Sequence, residues 1–298
     1  MMKEAQSRAY GIFCVNLPNL SCEGNELWGE GQEIEILGIG KSPFYKMKEK
    51  ARYKLSESAA IFLRKDPPFD LTYLHHLYLL SQLRSRVYLM NDPLGVMAIA
   101  EKVFPLWFEK YIPATCITRS FEEAQIFARK QKSGIVLKPL NSSGGRRVFK
   151  TGVKDSNFKV AFEAVGNEGM EYVVCQQYLP AVKKGDKRIV LLGGEILGCF
   201  ARIPAKGSHR ANLHSGGRLQ KCKLTHREIE IARTLGHVLL QWGIDFAGID
   251  LIGEKLTEIN VTSPMGLREI NVTQGIRSEK KFMDFVEKKI RMKNAVKK

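Results

Sequence analysis

The chain has 298 residues, 44% of them hydrophobic, which is enough apolar material for two or three packed units. Lys and Arg total 47 against 31 Asp and Glu, a net charge of +16 that attracts anionic partners; no zinc-finger spacing and no aromatic RNP-like segment accompanies it to mark a nucleic-acid module. No apolar run approaches the roughly 20 residues of a membrane span, and the first residues lack the apolar centre of a signal peptide, so a cytoplasmic protein is expected.

Met2–Arg8 reads as a short helix and Tyr10–Asn16 as a strand. A doubly wound domain normally opens on a strand, so the leading helix predicts an absent element ahead of it. Ser21–Lys50 is Gly-rich and is expected to be irregular. Gly40-Lys41-Ser42 fails as a phosphate loop, because Glu35 stands where the motif's leading Gly belongs and Pro43 follows. The apolar run Ser58–Leu63 reads as a buried strand ending in Arg64-Lys65-Asp66-Pro67-Pro68-Phe69-Asp70. A charged cluster beyond a strand either holds an anionic ligand or is a solvated Pro-rich loop. Leu71–Leu83 reads as a helix, Val87–Asn91 as a strand, and Pro93–Tyr111 as a helix kinked at Pro105. Residues 1–95 make one α/β unit.

A second unit, residues 96–175, contains a helix capped by Ser120 with Glu123 in the capping-box position. The strand Gly134–Leu140 carries Lys138, and Val148–Lys150 is a further strand. Between them, Asn141-Ser142-Ser143-Gly144-Gly145-Arg146-Arg147 either cradles phosphate oxygens with its backbone N–H groups or is an ordinary hairpin loop.

The third unit, residues 176–298, follows the strand Tyr172–Gln176 with the loop Tyr178–Lys187 and a hairpin turning at Gly193-Gly194. Arg202–Arg218 holds Arg202, Arg210, Asn212, Gly216, Gly217 and Arg218, and suits either a lid over phosphates or a basic surface loop. Thr225 and Glu228 cap an amphipathic helix running to about Trp242. A hairpin spans Gly248–Pro264, and a terminal helix follows Gly275.

That hairpin carries the chemistry. A three-residue loop at Gly253–Lys255 would set Asp250 opposite Glu258, with Ile249, Leu251, Ile259 and Val261 on one face and Asp250, Glu258 and Asn260 on the other. Opposed Cβ atoms lie about 5 Å apart, so the polar face could share a magnesium ion with a nucleotide's phosphates; the other reading is a solvated face. A two-residue loop would split the acids and bury one without a partner.

The six cysteines (Cys14, Cys22, Cys116, Cys175, Cys199, Cys222) include no C-x-x-C pair, which argues against a zinc ribbon and a disulfide framework and makes most of them small core residues. His75-His76 sits in an apolar helical run and reads as a packing pair. From Arg277 to Lys298 nine Lys/Arg stand against three acids, a local basic surplus.

Asp186-Lys187-Arg188, Ala201-Arg202-Ile203-Pro204, Gly216-Gly217-Arg218 and Leu256–Pro264 resemble the corresponding motifs of bacterial glutathione synthetases, a family of ATP-grasp ligases. Arg64–Asp70, Lys138-Pro139-Leu140 and Gln177-Tyr178-Leu179-Pro180 are similar to its pattern as well, in the family's order along nearly the whole chain. The resemblance implies an ATP-grasp fold of α/β and α+β class, with an N-terminal α/β domain ahead of two subdomains that clasp ATP. It implies that ATP phosphorylates the C-terminal carboxylate of γ-glutamylcysteine and that glycine's amine attacks the acyl phosphate, giving glutathione, ADP and phosphate.

By the same resemblance, Asp250, Glu258 and Asn260 are the ligands of Mg2+ (or Mn2+). Lys102, Lys138, Ser143, Gly144, Gly145, Asn212 and Gly217 match residues around the ATP phosphates, and Gln176, Gln177, Tyr178 and Leu179 the segment beside the adenine. Arg202, Arg210 and Arg188 match arginines facing the reacting groups, and Arg64, Ser263 and Arg268 the dipeptide contacts. A homo-oligomer is also implied. The chain departs from the pattern in lacking the family's first strand, and in Asn141, Ser142-Ser143, Arg146-Arg147 and Ala100. Another ATP-grasp carboxylate–amine ligase, a truncated nucleotide-binding protein without turnover, and a basic nucleic-acid binder are the rival expectations.

Overall fold

The computed structural model describes residues 1–38, 40, 42–141, 144–205 and 216–295. The chain opens on α1 (Met2–Ser7) and then forms three long antiparallel strands, β1 (Phe13–Glu23), β2 (Glu26–Ile36) and β3 (Tyr45–Lys54), in the order β1-β2-β3. The irregularity expected over Ser21–Lys50 is therefore corrected, and the strand expected at Tyr10–Asn16 starts at Phe13 and runs on to Glu23. The glycines of β2 mark close approach of backbones and not a loop. A Cβ on Gly31 would sit 2.0 Å from the Cys14 carbonyl oxygen, and one on Gly29 would sit 2.9 Å from the Val15 side chain.

A parallel pair follows, β4 (Ala60–Phe62) and β5 (Tyr88–Met90), joined through α2 (Leu71–Ser81). Asp70 starts α2 by accepting a hydrogen bond from the Tyr73 amide at 2.8 Å. The single helix expected over Pro93–Tyr111 is two pieces, α3 (Pro93–Ala98) and a 3-10 stretch, Phe104–Tyr111. The break falls at residues 99–103, ahead of Pro105, which sits in the first turn of the second piece where a missing N–H costs nothing. Glu101 and Lys102 lie in that break.

Four strands, β6 (Thr115–Thr118), β7 (Ile135–Pro139), β8 (Phe149–Thr151) and β9 (Val173–Gln177), pair in the order β6-β9-β7-β8. Their backing helices are α4 (Phe121–Arg129) and α5 (Phe158–Val165). Ser120 accepts from the Glu123 amide at 3.2 Å to start α4. Ala124, Ala128, Phe158 and Phe162 close a core over Ile135, Leu137 and Val173.

The largest sheet takes β10 (Asp186–Leu192), β11 (Glu195–Ile203), β12 (Arg218–Gln220), β13 (Phe246–Ile252) and β14 (Lys255–Asn260) in the antiparallel order β12-β11-β10-β13-β14. Between β12 and β13 runs α6 (His226–Gln241). Its capping box forms as expected: Thr225 Oγ1 accepts from the Glu228 amide at 3.2 Å, and Glu228 Oε2 accepts from the Thr225 amide at 2.8 Å. Side-chain alternation gives the sheet two characters. Ile189, Leu191, Ile249, Leu251 and Ile259 join Ile231, Leu235 and Leu239 of α6 in one core. On the other face, Val190 and Phe200 pack toward α7 (Leu267–Gln274) and α8 (Ser278–Ala295), while charged residues face a cleft. Gly275 ends α7 with φ 69°, and α8 is the expected terminal helix. Of the six cysteines only Cys175 and Cys199 are buried, so the expectation that most sit in the core is corrected.

The packing of α6 on the β10–β11 turn gives a prediction of sign. A Cβ on Gly236 would lie 2.0 Å from the Gly194 carbonyl oxygen. On a free helix Gly→Ala gains about 1 kcal/mol; forcing a methyl against backbone costs about 1–3 kcal/mol. Gly236→Ala should therefore lower the urea midpoint of unfolding, and a raised midpoint would contradict the contact.

Candidate active site

Chain reversal between β13 and β14 fixes the central geometry, by a route different from the expected one. The turn has two residues, Gly253 (φ 53°) and Glu254 (φ 63°), pairing Ile252 with Lys255 and Leu251 with Leu256. A two-residue turn alone would put the acids on opposite faces. A β-bulge at Thr257 restores the phase, so Asp250 pairs with Glu258 and Gly248 with Asn260. The Thr257 hydroxyl donates to the Asp250 carbonyl at 3.1 Å and pins the bulge. Ile249, Leu251, Ile259 and Val261 point into the core, while Asp250, Glu258 and Asn260 line the cleft.

Cations meet these acids at once. Arg188 grips the Asp250 carboxylate in a fork, Nε on Oδ1 and Nη2 on Oδ2 at 2.8 Å. Arg202 forks the Asp186 carboxylate at 2.7 and 2.8 Å and also reaches Asp250 Oδ1 at 3.0 Å. The Asn260 amide donates to Asp250 Oδ2 at 3.4 Å and to the Gly248 carbonyl at 3.3 Å. Burial works to raise the Asp250 carboxyl, and the two guanidinium groups overcome it and hold it well below the usual carboxylate range. At Asp186 burial wins over Arg202, and the carboxyl is raised.

Lysines approach from the rest of the wall. Lys102 reaches Glu258 Oε1 at 3.0 Å and the Leu140 carbonyl at 3.3 Å. Lys138 of β7 donates to Gln176 Oε1 at 2.7 Å, and the Gln176 amide in turn donates to Thr115 Oγ1 at 3.1 Å. Burial pushes the Lys138 ammonium below its usual value, against the pull of the Glu258 and Asp250 charges.

These groups line one cleft of about 800 Å³ between the four- and five-stranded sheets. It brings together Lys102, Lys138, Gly144, Gly145, Gln176, Gln177, Tyr178, Leu179, Arg188, Arg202, Asp250, Glu258, Asn260 and Ser263. Val136, Val148, Leu179 and Val182 add an apolar part that suits a flat ring. The amides of Gln177 and Tyr178 are tied to the Ala114 and Gly134 carbonyls at 2.8 and 3.0 Å, and the Tyr178 carbonyl accepts from Ser133 at 2.6 Å. Those backbone groups are already engaged within the protein.

Three expected residues stand apart from the cleft lining. Arg64 donates to the Pro264 carbonyl at 2.6 Å, next to Ser263. Arg268 is exposed on α7, one residue before Glu269, which does line the cleft. Gly217 lies just ahead of β12. Ser143, Arg210 and Asn212 lie outside the described residues.

Glu101 lines the cleft without any role in the sequence reading. Glu101 Oε1 accepts from the Val261 amide at 2.8 Å, the Thr262 amide at 3.1 Å and the Thr262 hydroxyl at 3.0 Å. Burial, then the Glu258 charge, push its carboxyl above the usual range. It clamps the chain leaving β14 beside Lys102; the only signal was an acid directly ahead of that lysine. Asp186, within the motif Asp186-Lys187-Arg188, takes its role from the fork that Arg202 makes on it.

Among the described residues no three His, Cys, Asp or Glu side chains cluster as a metal cage. Two carboxylates and an amide oxygen remain, all hard donors on one strand pair. That set fits a divalent ion which completes its shell with water and phosphate oxygens, as magnesium does.

Comparison with known proteins agrees with this architecture. The profile of the prokaryotic glutathione synthetase ATP-grasp domain matches residues 101–275, and that of the N-terminal domain matches residues 1–96. A glutathione synthetase of Agrobacterium fabrum is 39% identical over 96% of this chain and 89% of its own length. One of Vibrio cholerae is 38% identical over 98% and 92%. Among solved structures, the D-cycloserine synthetase DcsG aligns with a TM-score of 0.58 at 13% identity, covering 81% of this chain and 86% of that one. The ATP-grasp ligase PsnB, complexed with minimal precursor, Mg and ADP, aligns at 0.55 and 15% identity over 86% of both chains. At such identities the structural likeness extends to the ATP-grasp fold and no further.

Proposed function

The chain belongs to the prokaryotic glutathione synthetase family, and from that premise we propose that it is the ATP-dependent ligase joining γ-glutamylcysteine to glycine, with glutathione, ADP and phosphate as products. The observation that carries the reading is the opposition of Asp250 and Glu258 on the cleft face, with Asn260 beside them and two arginines already on the Asp250 carboxylate.

Phosphoryl transfer to a carboxylate needs alignment and charge neutralisation more than a nucleophilic side chain. Asp250, Glu258 and Asn260 would hold Mg2+ or Mn2+, which supplies charge neutralisation at the ATP phosphates when bound. Lys102 and Lys138, with Ser143, Gly144, Gly145, Asn212 and Gly217, bind the phosphates, and Gln176–Leu179 with the apolar lining takes the adenine. Arg188, Arg202 and Arg210 orient the reacting phosphoryl and carboxylate oxygens, and Arg64, Ser263 and Arg268 hold the dipeptide. Enclosure keeps water from the acyl phosphate until the glycine amine attacks it.

Residues 1–95 form the N-terminal substrate domain in this reading, 96–175 the first ATP-grasp subdomain and 176–298 the second. A cytoplasmic homo-oligomer is part of the same proposal, on the strength of the resemblance to the bacterial synthetases. No helix among the described residues is long and apolar enough to cross a membrane. An ADP-release assay with each substrate alone and together tests the proposal. ADP should form only when γ-glutamylcysteine and glycine are both present. ADP formed with a different acid and amine and not with these would move the chain to another ligase activity, and ATP binding without turnover would make it a nucleotide-binding protein.

A further inference from the structure

Two cysteines meet on the α6 side of the five-stranded sheet, the side away from the cleft. Strand β12 pairs with β11 in the register Ala201 to Gln220, and continuing it by two residues sets Cys222 opposite Cys199. Their sulfurs lie 3.5 Å apart, with the Cys222 thiol donating to Cys199 Sγ. Directly opposed residues of an antiparallel pair have Cα atoms about 4.5–5.5 Å apart, within the span a disulfide bridges. Bond formation then asks only that the sulfurs close by about 1.5 Å.

The surroundings split the pair: the hydrogen bond between the sulfurs and burial raise the Cys222 thiol, so its proton leaves through Cys199, which is lowered. The hydrogen bond from Cys222 holds the Cys199 thiol below its usual range against burial, and the Lys187 ammonium adds to the effect. Cys199 is 6% exposed, whereas Cys222 is half-buried between the exposed Lys221 and Lys223. Cys222 is thus the sulfur a solute can reach, and it stands in a positive field that draws anions.

A second cross-strand pair shows the contrast. Cys116 pairs directly with Cys175 across β6 and β9, yet burial pushes Cys175 up to about 12 and raises Cys116 too. What sets the Cys199–Cys222 pair apart is its sulfur-to-sulfur hydrogen bond, which lowers one thiol of the two.

We propose that Cys199 and Cys222 form a redox-active dithiol that is oxidised to an intramolecular disulfide by an anionic low-molecular-weight disulfide. Starting from the Cys199 thiolate, Cys222 Sγ attacks one sulfur of the solute as its proton passes to Cys199 Sγ, and the first solute thiolate leaves. That thiolate takes the proton from Cys199. The Cys199 thiolate then attacks Cys222 Sγ, the mixed disulfide breaks, and the second solute thiolate departs and takes one proton from solvent, so that a Cys199 thiolate, a Cys222 thiol, one solute disulfide and one proton become one protein disulfide and two solute thiols. Two protein thiols are oxidised and one solute disulfide is reduced to two thiols. The closed loop spans residues 199–222, which includes Arg202.

The test equilibrates the native full-length protein in mixtures of reduced and oxidised glutathione, traps free thiols by alkylation and reads the peptides by mass spectrometry. The expected result is a Cys199–Cys222 cross-linked peptide pair lighter by two hydrogens, with Cys116 and Cys175 alkylated as free thiols in the same sample. Cys199→Ser should stop at a mixed disulfide on Cys222, and Cys222→Ser should leave Cys199 reduced. Wild-type protein whose Cys199 and Cys222 both remain alkylatable in fully oxidised glutathione would overturn the proposal, as would a mixed disulfide on Cys222 that never resolves. The readout is the chemical state of sulfur, so its failure leaves the ligase assignment untouched.

Discussion

Glu258→Ala is expected to lower metal-dependent ADP release about 10²–10³-fold, the size of effect seen when one preorganised group facing transition-state charge is removed. Glu258 stands opposite Asp250 and supplies one of the two carboxylates that the β13–β14 hairpin presents to the cleft. Its side chain is 25% exposed and lies outside the apolar core, so truncation opens no large cavity. Lys102 keeps the Leu140 carbonyl as a partner after the change. Circular dichroism should therefore report a folded protein with little turnover. Glu258→Gln keeps the shape and an acceptor oxygen and should be impaired for the same reason, through lost charge. Turnover near wild type in either variant would remove Glu258 from the proposed metal site.

Arg202→Ala is expected to cost both activity and stability. Its guanidinium neutralises Asp186 and reaches Asp250, and all three side chains are buried. Removing one partner of a buried ion pair typically costs about 3–5 kcal/mol, because the remaining charge is stranded. The pH dependence has a definite sign. Burial already raises the Asp186 carboxyl in the intact protein, and loss of Arg202 raises it further. An acid with a raised folded pKa is no burden below its unfolded value near 3.9, destabilises progressively as pH climbs from there to the folded value, and costs a constant amount above it. The variant should thus lose more stability at about pH 8 than at about pH 5, read from urea midpoints. Asp250 works in the opposite sense in the intact protein. Its carboxyl is depressed by Arg188 and Arg202 against burial, so its contribution is present above about pH 4 and lost on further acidification. Equal losses at both pH values would show that Asp186 is not the stranded charge.

The central hairpin shows how far residue patterns reach. Apolar alternation in Gly248–Val261 was enough to separate the core face from the polar face, and that division is the observed one. Turn length was misread, because a bulge leaves almost no local mark; Thr257 looks like any other strand residue. The N-terminal strands were hidden for a related reason. Gly29 and Gly31 serve packing against β1, but a glycine in sequence looks the same whether it loosens a loop or lets two backbones touch. Helix starts were readable at Ser120 and Thr225, where a side-chain oxygen meets a nearby amide. The clamp of Glu101 on Val261 and Thr262 joins residues some 160 positions apart, and no local pattern encodes it.

The bulge at Thr257 also bears on how this gene can drift. Most surface turns absorb a gained or lost codon with little harm, yet here an indel between Ile252 and Glu258 that is not offset by a second one would rotate an acid into the hydrophobic interior and an aliphatic side chain out of it. Length in this short segment therefore matters to the cleft as much as the identity of the acids.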